Sequence, residues 1–138
     1  MTYVLGIIEK DGKILFLLRQ NTVFFSDHYG LVGGKIDEHE SVADALIREV
    51  YEEVSVVIAK DDMRFVHCLS FKNEKGSDIV ALIFKITVWQ GEMVNQELDK
   101  CAEIAWFSLD NLPDNVIPRH RYALEMIGRC VLYSESGW

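Results

Sequence analysis

The chain of 138 residues lacks the features that mark several classes of protein. Its three cysteines are widely spaced and odd in number, and no two of them have the spacing of a zinc motif. No apolar run approaches the roughly 20 residues of a membrane-spanning helix. Residues 1–19 are also too charged to be typical of a signal peptide. We therefore expect a cytoplasmic protein with reduced thiols.

Positive charge is scarce as well, with 14 Lys and Arg against 22 Asp and Glu and a net charge of −8. Domains that bind nucleic acid are usually basic, and an acidic chain also fits poorly against an anionic membrane. Neither nucleic acid nor a membrane is expected as a partner. The length predicts a single domain, residues 1–138, without linkers or repeats. The oligomeric state is left open between a monomer and a homodimer.

The first half of the chain predicts a hairpin, a loop and a helix. Apolar runs at residues 3–9 and 13–19, joined by an Asp-Gly turn, indicate the hairpin. Residues 20–33 have the composition of a loop. Ser41 followed by Asp44 is typical of a helix N-terminus. The buried face of this helix is predicted from four apolar residues that recur every fourth position: Val42, Leu46, Val50 and Val54.

The second half predicts more strands and a second helix. Strands are indicated at residues 64–72, 79–90 and 103–108, with an acidic loop at 91–101, and Pro118 favours the start of the last helix. The apolar face of that helix is predicted to contain Ala123, Met126, Ile127, Cys130 and Val131. This order of elements predicts an α/β (α+β) fold, in which a mixed β-sheet lies between helices.

Residues 34–56, which read GKIDEHESVADALIREVYEEVSV, carry the strongest indication of function. Glu49, Glu52 and Glu53 share one face of the predicted helix, where their like charges repel. Arg48 lies one turn before Glu52 and can pair with it, which leaves the oxygens of Glu49 and Glu53 facing outward. Because the cluster offers only carboxylates, without a nearby His or Cys in this helix, it favours Mg²⁺ or Mn²⁺. The alternative is a solvated helix face with i,i+4 ion pairs.

This segment resembles the signature of the Nudix hydrolase family, G-x5-E-x7-R-E-U-x-E-E-x-G-U, in which U is aliphatic. The matching residues are Gly34, Glu40, Arg48, Glu49, Val50, Glu52, Glu53 and Val56. Two positions depart from the family pattern: Ser55 stands where the family has glycine, and Val32 where a proline commonly precedes the two glycines. We expect a locally altered turn at Ser55 and a retained site. The resemblance implies an α/β/α sandwich, in agreement with the order of elements.

The resemblance also implies a reaction and a set of site residues. Nudix hydrolases cleave a nucleoside diphosphate linked to another moiety. The implied ligands of Mg²⁺ or Mn²⁺ are Glu49, Glu53 and Glu52, with the backbone carbonyl of Gly34, while Arg48 holds Glu52 in place. The water needs a general base, which is either Glu49 or a carboxylate of the later acidic loop.

Four acidic residues of that later region are candidates for the base: Glu92, Glu97, Asp99 and Glu103. Glu97 is favoured, because the family often supplies a further metal ligand from this stretch. A solvated acidic loop is the alternative interpretation. Glu40 is expected to brace the corner between the glycine turn and the helix.

The sequence gives weaker indications for the residues that contact the substrate. Lys35 could contact a phosphate or be solvated. Tyr29, with the neighbouring Phe24 and Phe25, could stack on a base or belong to the core. Arg119 opens the last helix together with His120 and Arg121, where positive charge opposes the helix dipole and requires either an acidic neighbour or an anionic ligand.

Residues downstream of the signature bear on the substrate. Phe71 stands where ADP-ribose hydrolases tend to have a proline, and residues 72–74 replace the tyrosine typical of dinucleoside polyphosphate hydrolases. By elimination the chain is similar to the MutT-like branch, which cleaves nucleoside triphosphates, normal or oxidised, to the monophosphate and pyrophosphate. The alternatives are a hydrolase of ADP-ribose or of a nucleotide sugar, and a nucleotide sensor without turnover.

Overall fold

The computed structural model describes all residues, 1–138. In chain order its strands and helices are β1 (Thr2–Lys10), β2 (Lys13–Arg19), β3 (Tyr29–Gly30), β4 (Val32–Lys35), α1 (Val42–Val54), β5 (Arg64–Lys72), β6 (Asp78–Ile86), β7 (Cys101–Phe107), α2 (Pro118–Gly128) and β8 (Tyr133–Ser136). The fold is mixed α+β with two helices, as the sequence predicts. Neither helix is long and apolar enough to cross a membrane.

The strands form one mixed sheet that divides at β1. β1 pairs in parallel with β6 on one side, and β5 pairs in parallel with β8. On its other side β1 pairs antiparallel with β4 along Tyr3 to Gly6, but with β2 only at Glu9 and Lys10. β2 then leaves β1 and pairs with β3 and β7.

Each face of the sheet is covered by one helix, because successive strand residues point to opposite faces. Val4 and Ile8 of β1 join the apolar cluster under α1, whereas Leu5 and Ile7 join the cluster under α2. Complete burial of such side chains contributes about 1.5–3 kcal/mol each. The α/β/α layering is therefore fixed by alternation within β1, and the sandwich prediction is confirmed.

The hairpin and the first helix agree with their predictions, whereas two other boundaries were wrong. The predicted loop at 20–33 contains β3 and the start of β4. The strand predicted at 79–90 ends at Ile86, and Val88 beyond it is 56% exposed. Residues 87–90 continue the apolar pattern of the strand, but no neighbouring strand lies beside them to pair with. The one contact of this kind is a bridge between Gln90 and Val57.

The C-terminal prediction was also partly wrong. Helix α2 ends at Gly128, and Cys130, predicted on its apolar face, is exposed and has a φ of 59°. The chain then turns into β8, which the sequence does not predict because Tyr-Ser-Glu-Ser has no apolar alternation. His67 fastens this strand to β5, since its Nε2 lies 2.7 Å from Oγ of Ser134.

Candidate active site

Helix α1 carries the candidate site, and both of its ends are capped. Oγ of Ser41 accepts a hydrogen bond from the Asp44 amide at 3.1 Å. At the other end Ser55 adopts a left-handed conformation (φ 68°), and its amide donates to the Tyr51 carbonyl. That is the conformation a glycine would take there. The altered turn predicted at Ser55 is therefore not found, and serine retains the turn at a backbone cost of about 1–2 kcal/mol.

Arg48 connects helix α1 to the segment that precedes it. Its Nε and Nη2 donate to the two carboxylate oxygens of Glu40 at 2.7 and 2.9 Å. The predicted pair with Glu52 is present but longer, at 3.3 Å. Hydrogen bonding to Arg48 lowers the pKa of Glu40 to about 2. Glu40 also accepts from the Asp37 amide, so its predicted bracing role agrees with the geometry.

The carboxylates of Glu49 and Glu53 point inward, which corrects the expectation that they face outward. Oε1 of Glu53 accepts a hydrogen bond from the Gly33 amide at 2.8 Å. Oε1 of Glu49 accepts from Nη1 of Arg48 at 3.0 Å. Burial raises the pKa of both carboxyl groups, and repulsion from Glu97 adds to the increase. Both side chains thus occupy a confined, negatively charged space.

The two glycines before α1 allow this close approach. A Cβ on Gly34 would lie 2.5 Å from Oε1 of Glu49. Gly33 has a φ of 137°, and a Cβ there would collide with the carbonyl oxygen of Val4. The Glu49 carboxylate therefore lies against bare backbone at Gly34, where a larger residue would displace it.

These carboxylates face a cavity with a volume of about 410 Å³. Its walls are Leu17, Arg19, Asn21, Thr22, Val23, Gly30, Leu31, Gly33, Glu49, Glu53, Glu97, Lys100 and Cys101. Glu97 reaches this wall because its loop is fastened to the end of α1: the Gln96 amide donates to the Glu53 carbonyl at 3.1 Å. Of the four later acidic candidates, Glu97 alone lines the cavity. We call this space the acidic cavity.

Other predicted site residues are placed elsewhere. The Glu52 side chain is 49% exposed and does not line the acidic cavity. Lys35 is exposed, outside both cavities. Tyr29 donates from its hydroxyl to Glu103, a hydrogen bond that raises the tyrosine pKa to about 12. The structure does not bring these three side chains to the cavity, and their functional roles remain predictions.

Two basic residues of the acidic cavity were not predicted. Arg19, at the end of β2, and Lys100, just before β7, are the two cationic side chains in its wall. Burial lowers the pKa of Arg19, while the nearby Glu53 raises it. Arginine directly after the apolar run of a strand was the available signal, because such a residue lies where the strand emerges from the core.

A second cavity of about 180 Å³ adjoins the first and shares Arg19, Leu31 and Gly33 with it. We call it the aromatic cavity, and its walls are Tyr3, Leu5, Arg19, Phe24, Phe25, Leu31, Gly33, Gly34, Leu69, Phe71, Asn73, Glu74, Ile79, Ala81, Ile117, Arg119 and His120. Phe24 and Phe25 thus line a cavity that opens beside the carboxylates.

Arg119 closes part of this aromatic cavity. Its guanidinium lies 5.0 Å from the ring centre of Phe25 and 4.6 Å from that of Phe71. Its Nη1 donates to Glu74 at 2.8 Å. Of the two alternatives for the positive helix start, an acidic neighbour and an anionic ligand, Glu74 provides the acidic neighbour for Arg119.

The donor set of the acidic cavity suits a hard divalent cation. Glu49, Glu53 and Glu97 offer only oxygen, and their burial and repulsion would be relieved by positive charge. No three acidic, His or Cys side chains converge on one point, since Glu49 is held by Arg48 and Glu53 by the Gly33 amide. These carboxylates would have to rotate toward a cation.

Comparison with known proteins agrees with this geometry. The family model described as the NUDIX domain matches residues 2–127. The chain is 32% identical over 108 residues to the ADP-ribose pyrophosphatase of Methanocaldococcus jannaschii, across 78% of this chain and 62% of that protein. It is 45% identical over 56 residues to the CTP pyrophosphohydrolase of Escherichia coli K12, across 38% of this chain and 39% of that protein.

Among solved structures, the chain is similar to a MutT NUDIX hydrolase from Burkholderia pseudomallei. The TM-score is 0.82 with 29% identity, over 90% of this chain and 95% of that one. The matches to the two relatives named above each span less than two thirds of the relative's length. The family model, by contrast, covers nearly the whole chain, and the matched residues contain the signature segment 34–56. The chain therefore belongs to the Nudix hydrolase family.

Proposed function

We propose that this hydrolase uses Mg²⁺ or Mn²⁺ to cleave a nucleoside triphosphate, normal or oxidised, to the nucleoside monophosphate and pyrophosphate. The observation that supports the proposal most is the adjacency of the two cavities. The acidic cavity combines three carboxylates with Arg19 and Lys100, as a metal-bound polyphosphate requires. The aromatic cavity offers apolar and aromatic walls for a flat base.

Glu49 and Glu53, with the Gly34 carbonyl, would hold the cation. When bound, the cation would neutralise phosphate charge and lower the pKa of a coordinated water. Arg19 and Lys100 would bind phosphate oxygens. Arg48 lies outside the cavity and orients Glu49 through their 3.0 Å hydrogen bond.

Glu97 acts as the general base in this proposal. A water oxygen forms a new bond to one phosphorus of the anhydride, the bridging P–O bond breaks, and the water proton moves to the Glu97 carboxylate. Glu49 is the alternative base. Glu97 is preferred because the Arg48 guanidinium already engages Glu49, whereas no side chain of the protein donates a hydrogen bond to the Glu97 carboxylate.

Hydrolysis of ADP-ribose or of a nucleotide sugar is the second candidate, supported by the likeness to the M. jannaschii ADP-ribose pyrophosphatase. The two candidate substrate classes differ in the group attached to the second phosphate, which is a third phosphate in a nucleoside triphosphate and a sugar in ADP-ribose or a nucleotide sugar. A sensor without turnover is less well supported, because every glutamate of the signature is present. Small nucleotides are the proposed partners; a homodimer and a cytoplasmic location remain predictions.

The proposal is tested by measuring phosphate and pyrophosphate release with Mg²⁺ from normal and oxidised nucleoside triphosphates, ADP-ribose, dinucleoside polyphosphates and nucleotide sugars. We expect the highest kcat/KM for a nucleoside triphosphate, with pyrophosphate as a product and no turnover in excess chelator. A higher kcat/KM for ADP-ribose or a nucleotide sugar would replace the proposed substrate. Full turnover after extensive chelation would contradict the metal requirement.

A further inference from the structure

His120 is a buried polar residue to which the proposed reaction gives no role. It lies in the first turn of α2, is only 8% exposed and lines the aromatic cavity. Its Nδ1 lies 3.1 Å from the backbone amide of Leu31, which joins β3 to β4. The amide can only donate, so Nδ1 is the acceptor of this hydrogen bond.

That bond fixes the tautomer of the ring. A neutral imidazole that accepts at Nδ1 carries its proton on Nε2. The ring is neutral because burial, with the positive charges of Arg119 and Arg19, lowers the pKa of His120 to about 3. Nε2–H is therefore a hydrogen-bond donor of fixed position.

Nε2 has no partner within the protein. Nδ1 provides the one hydrogen bond that the His120 side chain makes. Across the whole chain, the one fully buried side-chain polar atom without a partner is Nε of Arg119. Nε2 of His120 is therefore accessible, although nine-tenths of its residue is buried. Since His120 lines the aromatic cavity, we infer that the accessible edge of the ring faces that cavity.

The surrounding charges make this end of the cavity rich in donors. Arg119 and Arg19 also line it, while the carboxylate of Glu74 is already paired with Arg119. A buried donor that stays unpaired is unfavourable, and a ligand that supplies an acceptor gains the hydrogen bond. A base that fills the apolar part of the cavity would meet Nε2–H with one atom of its edge.

We propose that His120 is a specificity-determining residue, whose Nε2–H donates a hydrogen bond to an acceptor atom on the edge of the bound nucleobase. This inference rests on the proposed function, because it assumes that the aromatic cavity holds the base of a nucleotide substrate. The acceptor is either an oxo oxygen or an unprotonated ring nitrogen. A base that offers an amino group or a carbon at that place leaves the donor unpaired.

Two substitutions separate this role from the structural one. The amide of asparagine overlaps the Nδ1 side of histidine, so His120→Asn can keep the bond from Leu31 while it removes the Nε2 donor. Glutamine reaches the Nε2 position, so His120→Gln restores a donor there. Thermal unfolding of both variants checks that each is folded.

The experiment measures kcat/KM with Mg²⁺ for pairs of triphosphates that differ at one edge of the base. Inosine against adenosine exchanges an oxo group for an amino group, as does uridine against cytidine, and adenosine against 7-deazaadenosine removes a ring nitrogen. For at least one pair we expect the wild type to prefer the acceptor-bearing base by about tenfold or more. His120→Asn should bring that ratio within about twofold, and His120→Gln should recover most of it.

A purely structural role of His120 would lower kcat/KM equally for both members of each pair, and unchanged ratios in His120→Asn would overturn the inference. A wild type that discriminates within no pair would overturn it too, while turnover itself would leave the proposed function standing. If the wild type hydrolyses no nucleotide, the proposed function fails and this inference fails with it.

Discussion

The acidic and aromatic cavities share three residues but differ in almost every other property. The acidic cavity has three carboxylates and two cations in its wall, and its lining includes bare glycine backbone. The aromatic cavity is smaller, mostly apolar, and bounded by Phe24, Phe25 and Phe71. The charged groups of the acidic cavity suit a reaction that is the same for many substrates. The shape and the single hydrogen bonds of the aromatic cavity suit selection among those substrates.

The difference predicts separate consequences for substitutions in the two cavities. Changes in the acidic cavity should lower kcat for every substrate. Changes in the aromatic cavity should alter KM and substrate preference and leave kcat nearly unchanged. Four experiments test this division.

The largest effect is expected for Glu53→Gln in the acidic cavity. The substitution removes one charge from a repulsive buried set, so turnover should fall by more than 10²-fold and Mg²⁺ affinity should drop, while stability without metal holds or rises. Glu52→Gln is the comparison, since Glu52 lies outside the cavity and its predicted role as a ligand would give a similar loss. Steady-state kinetics and urea unfolding measure these effects. An equal loss of activity in both variants, or no loss in Glu53→Gln, would contradict the account.

The next effect concerns the general base. Glu97→Gln should lower kcat by about 10²–10⁴-fold with Mg²⁺ affinity barely changed. Glu49→Gln should weaken metal binding as well, because Glu49 is a proposed ligand. Metal titrations and kcat of the two variants separate base from ligand. A Glu97→Gln enzyme within about threefold of the wild-type kcat would transfer the role to Glu49, since base loss costs far more.

The third effect is a loss of stability in acid that originates in the aromatic cavity. The pKa of His120 is lowered to about 3 in the folded protein, below its ordinary value of 6.5, so the unfolded chain binds more protons between these values. The contribution is complete above pH 6.5 and decreases as the pH falls toward 3. At pH 5 the loss is about 2 kcal/mol. Arg119 and Arg19, which act on this ring, stay charged throughout that range.

Urea unfolding of the wild type and His120→Asn at pH 7 and pH 5 measures this contribution. The free energy of unfolding should fall by about 2 kcal/mol more in the wild type, since asparagine has no group that titrates there. Equal losses in the two proteins would mean that His120 is already protonated in the fold or that its pKa is not lowered.

The smallest effect is expected for Arg119→Met at the edge of the aromatic cavity. The substitution removes the pair with Glu74 and the contacts with the Phe25 and Phe71 rings. KM should rise about tenfold with kcat within about threefold, because binding is lost equally from ground and transition states. Glu74→Gln breaks the ion pair alone and should change KM less. A loss in kcat larger than the change in KM would contradict the proposed division of roles between the two cavities.

Local rules made the hairpin and α1 predictable. An Asp-Gly turn and an N-terminal serine act within a few residues, and the signature fixes Gly34, Glu49 and Glu53 in register. The prediction of Glu97 depended on family resemblance, because its place beside Glu53 results from a loop that returns to the end of α1. The spacing of residues along the chain does not reveal that this loop folds back to the end of α1.

Other features depend on pairing between distant segments. Arg19 and Lys100 meet in one wall because β2 pairs with β7. The position of Arg19 at the end of a strand is visible in the sequence, but its proximity to Lys100 is not. The orientation of His120 follows from the Leu31 amide, which lies at the junction of two strands that the sequence presents as a loop. The inward direction of Glu49 and Glu53 likewise requires the position of β4 beside α1.

The central claim is that the two cavities form one nucleotide site, with phosphates and metal in the acidic cavity and the base in the aromatic one. A crystal structure with Mn²⁺ and a non-hydrolysable nucleoside triphosphate analogue tests it most directly. The account predicts Mn²⁺ on Glu49 and Glu53, and a base in the aromatic cavity with an acceptor on Nε2 of His120. A base held outside the aromatic cavity, or Mn²⁺ bound away from these carboxylates, would contradict it.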